Sequence, residues 1–293
     1  MIGEISAVAT ALLWSVTNIM IRSASNRIGV LSLNAIRMTA GAIFVLGTLV
    51  VVGKPGDLGA VPLRAAAYMI AGVIGGSVVG DTLYFRSMAA VGVSRASPIS
   101  NIYPLFTLPI AVIFLGERLH WLNAAGVVLI VIGVSLVARS AAPQEGAASR
   151  VERFRFEGIL LALAAAMCWA FSTSIQRLAL LDLDVFVANA IRVPVAASIL
   201  LFLASRNGDM LKVRSYGWRP VLLTVLAGVI SLGVGGFFYL LAIQTAGAAK
   251  TAALSSIAPI FAAPLSAIFL KERVTPLLGV GIILSVAGVW LIV

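Results

Sequence analysis

Slid against itself by 155 residues, this chain meets its own pattern. Residues 1–138 align with 156–293 without a gap, and about 37 of these pairs are identical. Shared apolar composition alone does not give that many matches, so the chain reads as two copies of one unit. Trp14 meets Trp169, Arg22 meets Arg177, and Asn34-Ala35-Ile36-Arg37 meets Asn189-Ala190-Ile191-Arg192. Gly80 and Tyr84 meet Gly235 and Tyr239, and Ser100, Pro104, Phe106 and Pro109 meet Ser255, Pro259, Phe261 and Pro264. Glu117-Arg118 meets Glu272-Arg273, while Gly126 and Gly133 meet Gly281 and Gly288.

The solvent for each unit follows from its apolar runs. Stretches near 20 residues recur along the chain, the length needed to cross about 30 Å of hydrocarbon at 1.5 Å per residue. Only 11% of the residues are charged and 61% are hydrophobic, where a soluble domain carries about twice that charge. Backbone groups in lipid must be bonded within a helix or a closed barrel. Runs such as Ala125 to Ala138 lack the period-two alternation of a barrel strand. The fold class is therefore all-α, a polytopic membrane protein. Ten spans are expected near residues 5–22, 31–52, 66–88, 96–116, 121–138, 157–176, 185–205, 219–243, 249–270 and 276–293.

Five spans per unit is an odd number, so the second copy enters the membrane from the opposite side. The expected architecture is an inverted repeat: a five-helix unit over 1–138, a linker over 139–155, and a second five-helix unit over 156–293. Such repeats belong to transporters whose site lies near mid-membrane, where the halves meet. Loops after spans 1, 3, 5, 7 and 9 carry 14 Lys or Arg and the opposite side five. The basic side is expected to be cytoplasmic. That places the linker in the cytoplasm and both termini in the periplasm of a bacterial inner membrane. The net charge of +10 then reflects basic loops rather than nucleic-acid binding.

The segment Pro104-Leu105-Phe106-Thr107-Leu108-Pro109, followed by Phe114-Leu115-Gly116-Glu117-Arg118 and then Gly126 to Gly133, resembles the drug/metabolite transporter superfamily. Within it the chain is similar to the ten-helix family with two EamA domains. Pro259 to Pro264, Phe269-Leu270-Lys271-Glu272-Arg273 and Gly281 to Gly288 repeat the pattern, with Lys271 where a Gly is usual. The resemblance implies export of amino acids, other metabolites or drugs, and aromatic amino acid exporters are nearest in character.

An arginine inside a span is unfavourable in lipid and faces protein or water. Arg37 is expected to pair with Asp81 or Glu272, and Arg192 with Glu117. Such pairs can fix helix ends or hold one face shut. Asp81 is the acid placed well inside a span, and Gly236 occupies its repeat position. With Arg37 and Arg86 on its side, Asp81 reads as half of a structural ion pair rather than as a proton carrier. Pro98, Pro104, Pro109, Pro259 and Pro264 remove backbone donors from spans 4 and 9 and free carbonyls toward a cavity. Glycines at 72, 75, 76 and 80, and again at 228, 233, 235 and 236, suit close helix packing.

Trp14 and Trp169 lie at equivalent mid-span places, away from the interface where tryptophan usually sits. A buried indole N–H needs a polar partner, which a cavity supplies. The expected cavity residues are Trp14, Asn18, Tyr84, Ser100, Asn101, Tyr103, Trp169, Ser172, Tyr239, Ser255 and Ser256. No Lys, Arg or acid is expected at mid-membrane, so the inventory is hydroxyl, amide and aromatic. That suits a neutral or zwitterionic small molecule such as an apolar or aromatic amino acid. The expected partners are this small-molecule substrate and the lipid bilayer, with no nucleic acid, no cofactor and no metal, and a monomer suffices. No P-loop is present, so transport follows a gradient by facilitated diffusion or exchange. Proton-coupled export of drugs or other metabolites is the alternative carrier reading. A passive channel is the rival from another class. An enzyme fits poorly, because one His (His120) and one Cys (Cys168) have no plausible catalytic partners.

Overall fold

The computed structural model describes residues 1–25, 27–91, 96, 99–140, 151–206, 215–261 and 276–292. Among the described residues every long element is helical: α1 (Ile2–Ser25), α2 (Val30–Val51), α3 (Leu63–Val73), α4 (Asp81–Val91), α5 (Tyr103–Leu115), α6 (Trp121–Ser140), α7 (Val151–Ala179), α8 (Val185–Arg206), α9 (Trp218–Gly228), α10 (Gly235–Ala246), α11 (Ala248–Ser255) and α12 (Pro276–Ile292). Helices α3 and α4 are joined without a break by a π-helical stretch, Ile74–Gly80. Helices α9 and α10 are joined the same way by Val229–Val234. The two π stretches begin 155 residues apart, so the repeat extends to a rare backbone feature, one often found at functional sites.

Six helical segments are long and apolar enough to cross a membrane: Ile2–Ser25, Val30–Val51, Leu63–Met88, Phe156–Ala179, Val185–Arg206 and Trp218–Ala246. Four apolar segments, Tyr103–Leu115, Trp121–Leu136, Ala248–Phe261 and Gly279–Ile292, are shorter, at 10–17 residues. Among the described residues six of the ten expected spans thus have crossing length; Ala248–Phe261 ends where those residues do, and the helix from Trp121 runs on to Ser140. Expected spans 4 and 9 are interrupted, since the chain turns at Asn101–Ile102 and at Ser256–Ile257. After each turn a proline, Pro104 or Pro259, stands in the first turn of the next helix, where its missing N–H leaves no bond back to the preceding one. The end of span 9, with Pro264, Glu272 and Arg273, lies outside the described residues, as does Pro98. Of the expected linker over 139–155, residues 141–150 lie outside them too. Residues 151–155 belong to α7, which starts five residues earlier than its apolar run.

The helices pack across the repeat. In the α6–α12 pair, a side-chain carbon added at Gly126 would meet the Gly288 carbonyl at 2.7 Å. One added at Gly133 would meet the Gly281 carbonyl at 2.5 Å. Residue number rises along α6 as it falls along α12, so these equivalent helices run antiparallel, and their backbones approach closely because only glycine fits between them. Helix α1 lies antiparallel to α9–α10: Gly3 abuts Thr245 and Ala246, and Trp14 reaches Ser231. The repeat-related contact is present, with Gly158 of α7 against Ala90 and Val91 of α4. Helices α2 and α8 share a core of Met38, Val45, Leu49, Val193, Ala197 and Leu200. Large apolar side chains such as Ile43, Phe114, Ile283 and Trp290 point outward, at 70%, 77%, 68% and 81% exposure. In lipid this outward face needs no cover, since apolar chains match the solvent.

Candidate functional site

A cavity of about 640 Å³ lies where the two copies meet, lined from both. Helix α1 supplies Trp14 and Asn18, α2 Arg37, and α4 Asp81 and Tyr84. The turn before α5 supplies Asn101, and α5 itself Tyr103. From the second copy come Trp169, Ser172 and Gln176 of α7, Arg192 of α8, Tyr239 of α10 and Ser255 of α11. Its size is that of a small-molecule site.

The aromatic walls repeat. Trp14 and Tyr239 stack with ring centroids 5.1 Å apart, and their equivalents Trp169 and Tyr84 also lie 5.1 Å apart. Tyr103 meets Trp169 edge-on at 6.0 Å. Each indole N–H is satisfied, Trp14 by the Ser231 carbonyl at 3.2 Å and Trp169 by the Asp81 carboxylate at 3.0 Å. Tyr239 and Thr173 share a hydroxyl–hydroxyl bond of 2.6 Å, and Tyr103 and Ser255 one of 2.7 Å.

The duplicated Asn-Ala-Ile-Arg segment has a definite job here. Asparagine and arginine three residues apart share one helix face. Asn34 donates its amide to the Ser77 carbonyl at 3.2 Å and accepts from Arg37 at 2.9 Å. Asn189 donates to the Leu232 carbonyl at 3.1 Å and accepts from Arg192 at 2.8 Å. Ser77 and Leu232 are equivalent residues inside the two π stretches. Each asparagine therefore ties its helix to an irregular turn and aims an arginine into the cavity.

The charges depart from expectation at two points. Arg37 and Arg192, 7% and 6% exposed, line the cavity with Asp81, so the site is not free of charge. Counting residues from a helix end understated how far a long arginine side chain reaches. Arg37 forms an ion pair with Asp81, one of its two expected partners. Arg192 does not pair with Glu117; its Nε and Nη1 donate to Asn189 and to the Gln176 amide oxygen, at 2.8 and 3.1 Å. Glu117 instead accepts the backbone N–H groups of Ala248 and Ala249 at 2.6 and 3.2 Å, capping α11. A carboxylate at a helix N-terminus satisfies donors that the helix itself leaves unpaired.

Of the other expected residues, Ser100 and Ser256 are buried but bond to backbone carbonyls, of Ala162 and Ala253, and do not line the cavity. Glu272 lies outside the described residues. Sequence reasoning missed Gln176, although it follows Trp169 and Ser172 at helical spacing on one face of α7, a legible signal. Among the described residues, no three His, Cys, Asp or Glu are grouped to hold a metal ion.

Among the described residues the cavity lining extends toward one face. Beyond Arg37 its lining continues to Leu33 and Val30, and beyond Tyr84 to Met88. Val30 and Met88 are half-buried, whereas their equivalents Val185 and Ile243 are packed at 5% and 0% exposure in one apolar cluster; Leu33 and its equivalent Ala188 are both buried. On that packed face four ion pairs join the two copies: Lys54–Asp184 at 2.6 Å, Arg64–Asp182 at 2.9 Å, Lys250–Glu4 at 3.7 Å and Arg177–Glu117 at 3.9 Å. Among the described residues no ion pair joins the copies on the opposite face.

A multi-pass helical bundle with a solute-sized cavity between its copies defines the class of membrane transporters. Residues 1–139 and 156–293 each match the EamA-like transporter family, and the chain belongs to it. An uncharacterized transporter of Archaeoglobus fulgidus is 24% identical over 292 residues, covering 100% of this chain and 98% of that one. An uncharacterized transporter of Clostridium kluyveri is 24% identical over 222 residues, covering 75% of this chain and 69% of the other. A solved crystal structure shares the fold, with a TM-score of 0.79 at 18% identity over 99% of this chain and 95% of that one.

Proposed function

We propose that this chain is a carrier for a small zwitterionic or neutral metabolite, an amino acid with an apolar or aromatic side chain, exported across a bacterial inner membrane. In this reading all ten apolar segments cross the membrane, those that contain α5 and α11 as helices interrupted by a turn, and the two five-helix units are inverted. The antiparallel run of α6 against α12 supports the inversion. Alternating access then follows from the repeat: positions that line an open vestibule in one copy are packed shut in the other. That single contrast, Val30 and Met88 against Val185 and Ile243, carries the proposal. Rocking the units exchanges the two environments, because two similar packings of one design differ little in energy. The open face is the basic, cytoplasmic one, so solute enters from inside and leaves by facilitated diffusion or exchange.

The chemistry of the walls supports the substrate class. Four aromatic rings, Trp14, Tyr84, Trp169 and Tyr239, offer apolar faces, while Asn18, Asn101 and Ser172 offer hydrogen bonds. Charges of both signs, Asp81 and Arg192, suit a molecule that carries both. The test is counterflow into liposomes with labelled amino acids, nucleosides and phosphates. Trans-stimulated uptake of an apolar or aromatic amino acid is expected. Fast flux without trans-stimulation would make the protein a channel, and uptake of phosphates alone would reject the substrate class.

A further inference from the structure

We infer that Arg192 is the seat of a substrate carboxylate, which takes the part that Asp81 plays for Arg37. The inference rests on the reading of the cavity as the transport site and specifies what the substrate must carry. Arg37 and Arg192 are equivalent residues, each held by the asparagine three positions earlier. Arg37 meets the carboxylate of Asp81. The position equivalent to Asp81 is Gly236. There, an added side-chain carbon would lie 2.5 Å from Arg192 Nη2, so the guanidinium occupies the room that an acid would need. The second copy has kept the cation and lost its counter-charge.

Arg192 is 6% exposed and faces the cavity. Its bonds go to two neutral oxygens, Asn189 Oδ1 and Gln176 Oε1. Gln176 is fixed in turn, because its amide donates to Ser172 Oγ at 2.6 Å and Ser172 donates to the Gly72 carbonyl at 2.7 Å. Among the described residues no carboxylate lies within 4.0 Å of Arg192, and the lining sums to two guanidiniums and one carboxylate. A buried guanidinium held only by neutral oxygens lacks its counter-charge. A planar fork already oriented by two bonds is prepared to receive a carboxylate. Asp81, in the same cavity, offers the opposite charge to an ammonium group. The site is therefore polarised, with the carboxylate at Arg192, the ammonium toward Asp81 and the side chain against the indoles.

The test uses ligands that differ only in their charged ends, with the full-length protein in liposomes and in detergent. The ligands are L-phenylalanine, L-phenylalaninamide, which lacks the carboxylate, and 3-phenylpropionate, which lacks the ammonium. The wild type is expected to exchange phenylalanine at least tenfold better than the amide, and to be thermally stabilised by phenylalanine and by 3-phenylpropionate. In Arg192→Gln that preference and the stabilisation by 3-phenylpropionate are expected to vanish. The ligand series in the wild type stands even if the variant folds poorly. Equal exchange of phenylalanine and its amide would overturn the role of Arg192 while leaving the carrier reading intact. Binding of 3-phenylpropionate without phenylalanine would keep the role and reject the zwitterion. No exchange and no stabilisation by any of the three would overturn both.

Discussion

Asn34 donates its side-chain amide to the carbonyl of Ser77 at 3.2 Å, and Asn189, 155 residues on, does the same to Leu232 at 3.1 Å. The acceptors lie in π-helical turns whose bonding pattern differs from that of the flanking helix. A repeated tetrapeptide in an apolar run is thus the mark of a repeated latch. It joins α2 to the helix before it closes on α4, and α8 to the helix before it closes on α10.

Loss of this latch has a measurable consequence. Asn34→Ala and Asn189→Ala each remove one bond to a π-turn carbonyl and one from a buried arginine, an effect of about 1–3 kcal/mol for buried polar groups. Each variant is expected to melt at lower temperature than the wild type in detergent. The pair is expected to behave additively, since the two latches share no bond.

The Arg37–Asp81 pair predicts a recovery. Asp81→Asn removes the counter-charge of a mostly buried arginine and half of the bond to the Trp169 indole. Breaking a buried pair costs about 3–5 kcal/mol, and the partial exposure of Asp81, at 17% of its side chain, places this one at the lower end. Arg37→Gln combined with Asp81→Asn is expected to regain much of the loss. A double variant less stable than either single, in a denaturant or thermal series, would show that the pair is not coupled.

Glycines distinguish the close helix pair from open positions. Gly288→Val would drive a side chain into the Gly126 carbonyl, which an added carbon already meets at 2.6 Å. Overpacking against backbone costs about 1–3 kcal/mol or more, so the melting temperature should fall. Gly47 of α2 has nothing within 4 Å. Gly47→Ala is expected to be neutral or to stabilise by about 0.5–1 kcal/mol, through helix propensity alone.

Much of this was written in the repeat. The alignment at 155 residues marked Trp14 with Trp169, Tyr84 with Tyr239 and the two arginines as equivalent, and all six line the cavity. Periodicity and length placed the helices to within a few residues. Depth was not legible, because a long arginine side chain reaches well away from the level of its own backbone. Arg37 and Arg192 therefore reach a cavity from which the count had excluded them. The role of Glu117 was hidden for another reason: its partners are the backbone N–H groups of Ala248 and Ala249, and backbone donors carry no sequence signature. Gln176 could have been found, as a polar residue on the same face of α7 as Trp169.

The four ion pairs on the packed face are largely exposed or long, so each is weak by itself. Together they sit where a closed gate would be, and the central claim is that this gate must open for solute to pass. The direct measurement is counterflow with Lys54→Cys and Asp184→Cys in a Cys168→Ser background, bridged by a short bifunctional maleimide. The account predicts that bridging lowers exchange at least tenfold, and that neither cysteine alone responds to the reagent. Full exchange by protein verified as bridged would show that the packed face never opens, and would contradict passage between the two copies.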